Sequence, residues 1–167
     1  GGLFTDFNGN TQNCLVRLNS DGSKDTSFDI GSGFSINTLS SVIQPDGKLI
    51  IGGSFTSFDG ATQNRLIRLN SDGSKDTTFD IGSGFNDPTI GIVLSDNTSI
   101  LVTGNFISFN GQTHNRLIRL ITTPDRDQDG LEDSIEDTVS NSGDANNDGI
   151  LDSNQNNVSS FINPITN

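Results

Sequence analysis

The sequence predicts an all-β fold of tandem antiparallel β-blades with a small acidic tail, and three observations carry that prediction. The chain repeats with a period of 51 residues. Its aliphatic residues fall in short clusters separated by Gly, Asp, Asn and Ser. Its composition has 19 Gly and 11 Phe but no Met, Trp or Tyr, which suits a turn-rich β architecture.

The repeat is legible at its opening. Gly-Gly-Leu-Phe-Thr-Asp-Phe-Asn-Gly at 1–9 returns as Gly-Gly-Ser-Phe-Thr-Ser-Phe-Asp-Gly at 52–60 and as Thr-Gly-Asn-Phe-Ile-Ser-Phe-Asn-Gly at 103–111. Aligning 1–51 with 52–102 gives 29 identities, and 18–34 matches 69–85 with one change, Ser27 to Thr78. The third copy stops at about Ile121. The expected division is therefore residues 1–121, about 2.4 repeat units, and a tail at 122–167.

Within a unit, residues 36–44 and 48–56 flank Pro45-Asp46-Gly47 and read as a hairpin. Residues 64–70 read as the next strand, closed by Ser71-Asp72-Gly73-Ser74, and a short extended stretch ending at Ile81 as a fourth. Four antiparallel strands in about 50 residues is the size of a propeller blade. The copy at 95–99, Ser95-Asp96-Asn97-Thr98-Ser99, departs from the Pro-Asp-Gly-Lys turn, so a different loop is expected there.

The phenylalanines keep register: Phe4, Phe55 and Phe106; Phe7, Phe58 and Phe109; Phe28 and Phe79; Phe34 and Phe85. A repeat cannot bury its apolar face alone, so these rings are expected between neighbouring units.

Charge separates the two regions. Of the net −12, residues 125–167 contribute −9, with ten acids and one base, Arg126. Such a tail repels phosphate backbones and anionic lipid, which argues against nucleic-acid and membrane-surface binding and for a cation as partner, and no direct membrane insertion is expected. The single Cys14 forms no internal disulfide, and no Cys/His spacing suits zinc. No signal peptide opens the chain and its apolar runs are only a few residues long, so any export signal or anchor is expected outside it.

The tail carries the one motif with its own chemistry. After Pro124, the run from Asp125 to Glu136 fits D-x-D-x-D-G-x₅-E. Calcium takes about six to eight oxygens, and this spacing supplies them from Asp125, Asp127, Asp129, the Leu131 carbonyl, Asp133 and a bidentate Glu136, with Gly130 at the bend. Leu131, Ile135 and Val139 recur at four-residue spacing, predicting a short helix over 133–139. A second copy 19 residues on offers Asp144, Asn146, Asp148, the Ile150 carbonyl and Asp152, with Gln155 at position 12. Gln brings one uncharged oxygen, so this loop is expected to be the weaker. A strand, not a helix, leads into the first loop, which favours a structural role over switching.

Two resemblances extend this reading. Gln44-Pro-Asp-Gly-Lys-Leu-Ile-Ile-Gly-Gly-Ser-Phe55, Asn64-Arg-Leu-Ile-Arg-Leu-Asn-Ser-Asp-Gly-Ser74 and Asp76-Thr-Thr-Phe79 resemble the bacterial delta-60 repeat, a propeller-type unit found in tandem in large secreted proteins. The resemblance covers 1–121 and implies a fold and a setting but no catalytic residues. The tail is similar to thrombospondin type 3-like calcium repeats and, more closely, to the Asp-rich stretch before the choice-of-anchor U region of bacterial surface proteins, through Asp127-Gln-Asp-Gly-Leu-Glu-Asp-Ser-Ile-Glu-Asp137, Gly143-Asp-Ala-Asn-Asn-Asp-Gly-Ile-Leu-Asp-Ser153 and Gln155-Asn-Asn-Val-Ser159. Together they imply an extracellular or cell-surface bacterial setting. Since about 2.4 units do not close a propeller of about 4–8 blades, the remainder of a longer parent chain or neighbouring subunits are expected as partners.

A non-catalytic structural or adhesive module is thus the expected function. An enzyme is disfavoured because His114 aligns with Gln12 and Gln63 and assembles no triad, while Cys14 aligns with Arg65 and Arg116 and is expected at a tolerant, partly exposed position. A ligand- or protein-binding propeller is the alternative. Sugar stacking lacks Trp and Tyr, but protein adhesion through the variable segments 35–41 and 86–92 stays open.

Overall fold

The computed structural model describes residues 1–123, which fold without a helix into small antiparallel sheets. In chain order the strands are β1 (Asp6–Phe7), β2 (Asn10–Thr11), β3 (Thr38–Ile43), β4 (Leu49–Gly53), β5 (Ser57–Phe58), β6 (Ala61–Thr62), β7 (Leu66–Leu69), β8 (Thr89–Leu94), β9 (Ser99–Gly104), β10 (Ser108–Phe109), β11 (Gln112–Thr113) and β12 (Leu117–Ile121). The tail helix expected at 133–139 lies outside the described residues.

The 51-residue period is visible in the sheets. β3-β4-β7 and β8-β9-β12 are three-stranded, with β4 and β9 central, and each is followed or interrupted by a two-residue hairpin, β5-β6 or β10-β11. In the first repeat, β1-β2 is the same hairpin. These small hairpins turn on Asn8-Gly9, Asp59-Gly60 and Asn110-Gly111, all with positive φ (52° and 77°, 46° and 76°, 48° and 78°). That is the backbone of a type I′ turn, whose twist matches the strands it joins.

The predicted hairpin across Pro45-Asp46-Gly47 forms, with Val42 opposite Ile50 and Ile43 opposite Leu49. The expected different loop at 95–99 is also present. There the Asp96 carboxylate accepts from the Thr98 amide (2.9 Å) and the Ser99 hydroxyl (2.8 Å).

The fourth strand ending at Ile81 does not form. Only Lys75 pairs, in an isolated bridge with Leu69, as Lys24 does with Leu18. The reason is two turns in quick succession. Asp72 accepts from the Ser74 amide and Asp76 from the Thr78 amide, at 2.9 and 3.0 Å, and each carboxylate bends the chain before a ladder can extend.

Burial follows the two-residue alternation of strands. Ile51, Ile67 and Leu69 face one core, with Cys14, Leu15, Phe28, Ile30, Phe34, Phe55 and Phe58. Ile50 and Leu66 face a second core, with Ile81, Phe85, Ile92, Ile100, Val102 and Phe106. The sheet β3-β4-β7 is therefore covered on both sides, by the first repeat and by the third.

In each core a phenylalanine sits between two others. Phe34 lies 4.7 Å from Phe55 and 4.9 Å from Phe58, and Phe85 lies 4.5 Å from Phe106 and 4.7 Å from Phe109, all tilted. Such tilted pairs suit the ring quadrupole. Phe55, Phe58, Phe28 and Phe34 are buried and Phe79 is half-buried, as the shared register predicts.

Candidate functional site

The sequence-predicted calcium ligands, Asp125, Asp127, Asp129, Leu131, Asp133 and Glu136, with Asp144, Asn146, Asp148, Ile150 and Asp152, all lie outside the described residues. Among the described residues no cluster of three or more His, Cys, Asp or Glu could hold a metal. The polar sites of the described residues lie in the repeats.

The most developed polar site surrounds Asp76, which is almost fully buried. Its carboxylate accepts from Arg68 Nε at 2.7 Å, Lys48 Nζ at 2.8 Å and the Thr78 hydroxyl at 2.7 Å. The Arg68 guanidinium stacks on the Phe79 ring, 4.6 Å from its centroid. Burial alone would raise the Asp76 pKa, but the bonds from Lys48 and Thr78 and the Arg68 charge outweigh it and hold the carboxyl well below the usual range.

Each neighbouring repeat also has an Arg–Asp pair, less buried, and only that of the first repeat joins equivalent residues. In the first repeat Arg17 Nε meets Asp25 at 2.8 Å and stacks on Phe28 at 4.5 Å. In the third, Arg119 turns to Asp96 in the β8–β9 loop, at 2.9 Å. Ser99 occupies the position of Lys48 there, and its hydroxyl accepts from Arg119 Nε at 3.0 Å.

Beside these pairs each of the first two repeats has an open cleft. One, of about 450 Å³, is lined by Lys75, Thr77, Phe79 and Asp80 among others; its counterpart, of about 470 Å³, is lined by Lys24, Thr26, Phe28 and Asp29. Their charged groups are already engaged. Lys75 Nζ donates to Gln63 Oε1 (2.7 Å) and Lys24 Nζ to Gln12 Oε1 (2.5 Å), while Asp80 and Asp29 accept from the amides of Gly82 and Gly31.

Other turn carboxylates are committed in the same way. Bonds from the Ser23, Ser27 and Ser74 hydroxyls and amides lower the pKa values of Asp21, Asp25 and Asp72, and Ser99, Thr98 and Arg119 lower that of Asp96.

Cys14 departs from the expectation of a partly exposed position. It is buried in the first core with φ +67°, a left-handed conformation shared by Arg65 and Arg116. The backbone explains why unlike residues align here: each amide donates to the Phe4, Phe55 or Phe106 carbonyl to close the small hairpin. Arg65 projects to the Phe85 carbonyl (2.8 Å), whereas the short thiol packs inward. His114 is half-buried, edge-on to Phe109 at 6.5 Å, where Gln12 and Gln63 instead hold lysines.

The variable segments 35–41 and 86–92 are not simply loops, since they run into β3 and β8. These strands lie at sheet edges and expose Leu39, Ile43, Ile90 and Leu94. The small Asx turns and I′ hairpins that organise the site were foreshadowed by the repeated Asn-Gly and Asp-Gly dipeptides.

A family model described as a domain of unknown function (DUF5122) beta-propeller matches residues 1–28, 44–79 and 99–122, or 88 of the 167 residues. No curated protein and no solved structure matches the chain.

Proposed function

The chain belongs to this β-propeller family of unknown function, and from that premise we propose that it is a non-catalytic structural or adhesive module of a secreted bacterial surface protein, stiffened by calcium at its C-terminal junction. The observation that carries the structural half of this reading is where the ionisable side chains spend their bonds. Asp21, Asp25, Asp72, Asp76 and Asp96 each close their own turn, and the Arg–Asp pairs brace the blades. Groups held this way stiffen a repeat.

The calcium half rests on the donor set of the tail. Five carboxylates and a backbone carbonyl at EF-hand spacing form a hard-oxygen set that fits calcium. An affinity in the extracellular range, on the order of 10⁻⁴ to 10⁻³ M, would fill the site outside a cell and leave it empty in a cytosol. Calorimetric titration of calcium into the 167-residue chain, with protease cutting after Arg126 followed in parallel, tests this. Binding heat and calcium-dependent protection, both lost in Asp127→Ala and Glu136→Gln, are expected. Absence of heat and unchanged cutting would reduce the tail to an acidic linker.

A protein-binding role is the second reading. The exposed Leu39, Ile43, Ile90 and Leu94 on β3 and β8 favour it, as apolar groups on strand edges suit an extended partner.

A further inference from the structure

We propose that one face of the first two repeats is a trough that binds a neutral polysaccharide. Three open clefts run into one another there. The cleft of about 450 Å³ in the second repeat shares Lys75 with one of about 370 Å³ at the boundary of the first two repeats, and that one shares Asp29 with the cleft of about 470 Å³ in the first repeat. Each is of a size that suits a small-molecule unit. The two clefts that share Lys75 are built on the second repeat, which has a described repeat on either side, so they do not depend on an end of the stack.

The lining selects the class of ligand. Thr77 and Thr26 are exposed at equivalent positions, and their hydroxyls make no hydrogen bond among the described residues, unlike those of Thr78 and Ser27 beside them, which close turns on Asp76 and Asp25. Lys75 and Lys24 each spend one of three N–H groups, on Gln63 and Gln12. Asp80 and Asp29 each spend one carboxylate oxygen, on the Gly82 and Gly31 amides. What is left in either cleft is an ammonium donor, a carboxylate acceptor and a hydroxyl that is both, beside the ring of Phe79 or Phe28.

A sugar hydroxyl also donates and accepts at once, so it can accept from the lysine and donate to the aspartate while the ring walls the apolar C–H face. One lysine balances one aspartate in each repeat's cleft, which gives a charged polymer no advantage. The same Lys-Thr-Phe-Asp set in both repeats suits a ligand whose own units repeat, and a peptide of mixed sequence would not offer both clefts the same groups. A chain that lies across linked sites is held more tightly than its pieces. None of these residues belongs to the calcium set of the tail or to the β3 and β8 edges, so the trough stands or falls apart from both.

NMR titration of the 167-residue chain with maltohexaose, cellohexaose and chitohexaose, each against the disaccharide of its series, tests this. At least one hexamer is expected to bind with a Kd below about 1 mM, shifting amides of residues 24–29 and 75–83 together. It is expected to bind at least about tenfold more tightly than its disaccharide, because it meets more than one cleft. Thr77→Val and Thr26→Val remove hydroxyls that the fold does not use, and Asp80→Asn keeps an acceptor for Gly82. Melting midpoints are therefore expected to stay unchanged while each variant binds the hexamer at least about threefold more weakly, the effect of one lost hydrogen bond. Overturning results are no shift with any of the three hexamers at about 3 mM, shifts confined to other residues, a Thr77→Val chain that binds as wild type does, or a hexamer no tighter than its disaccharide. A Gly-Ser decapeptide that produces the same shifts at lower concentration would make the trough a peptide groove and also overturn it.

Discussion

Replacing Asp76 with Asn keeps the side chain's shape and removes its charge from between Arg68 and Lys48. The pair is almost fully enclosed, with side-chain exposures of 5% for Arg68 and 4% for Asp76. Breaking a buried pair from one side costs about 3–5 kcal/mol, because the remaining charge keeps its desolvation penalty without its partner. For a folded region of this size, that lowers the thermal midpoint by on the order of 10 °C. The repeat supplies its own controls. Asp25→Asn, in a pair exposed 33% and 20%, and Asp96→Asn, in one exposed 59% and 44%, should cost far less, since water screens them. Urea denaturation of the three variants measures the gradient. Adding Arg68→Met to Asp76→Asn should recover much of the loss, because the stranded charge leaves with it. The pH dependence has a definite sign. Because the folded-state pKa of Asp76 is depressed, its contribution is fully present above the unfolded value near ~4 and is lost as pH falls toward the folded value. The gap between wild type and Asp76→Asn should therefore be constant from about pH 5 upward and shrink below about pH 4. Equal costs at all three positions, or a gap that widens on acidification, would refute the reasoning.

The same internal comparison applies to the core. Phe55→Ala, at a fully buried ring, should cost about 3–5 kcal/mol in urea denaturation, and Phe4→Ala, at its half-buried equivalent, clearly less. Thr89→Val should loosen the second repeat boundary by about 0.5–1.5 kcal/mol, since the Arg65 carbonyl loses a donor and the Gly53 amide an acceptor while the two keep the bond between them. Faster hydrogen exchange at the Gly53 amide, with Gly2 unaffected, would report that loss locally. Chelation of calcium should abolish the protection after Arg126 while leaving the melting of the repeats unchanged, as the repeat turns are closed by their own side chains.

By itself the sequence determined the period, the all-β class, the Pro45-Asp46-Gly47 hairpin, the altered 95–99 loop and the register of the phenylalanines. These are local or periodic properties: turn chemistry acts within a few residues, and a 51-residue repeat forces equivalent side chains into equivalent places. The calcium spacing of the tail is of the same local kind. The tertiary structure alone decided which of two adjacent isoleucines, Ile50 or Ile51, faces which core, because pleating sends them to opposite sides of one sheet. It also decided that no fourth strand follows Leu69, where Asp72 and Asp76 win the competition for backbone amides. Cys14 is buried for a related reason. Its left-handed backbone serves the hairpin, so thiol and guanidinium can align at one position and then follow different paths. Last, the equivalent pairs Arg17–Asp25 and Arg68–Asp76, identical in sequence, differ in burial, because among the described residues only the second has a repeat on each side.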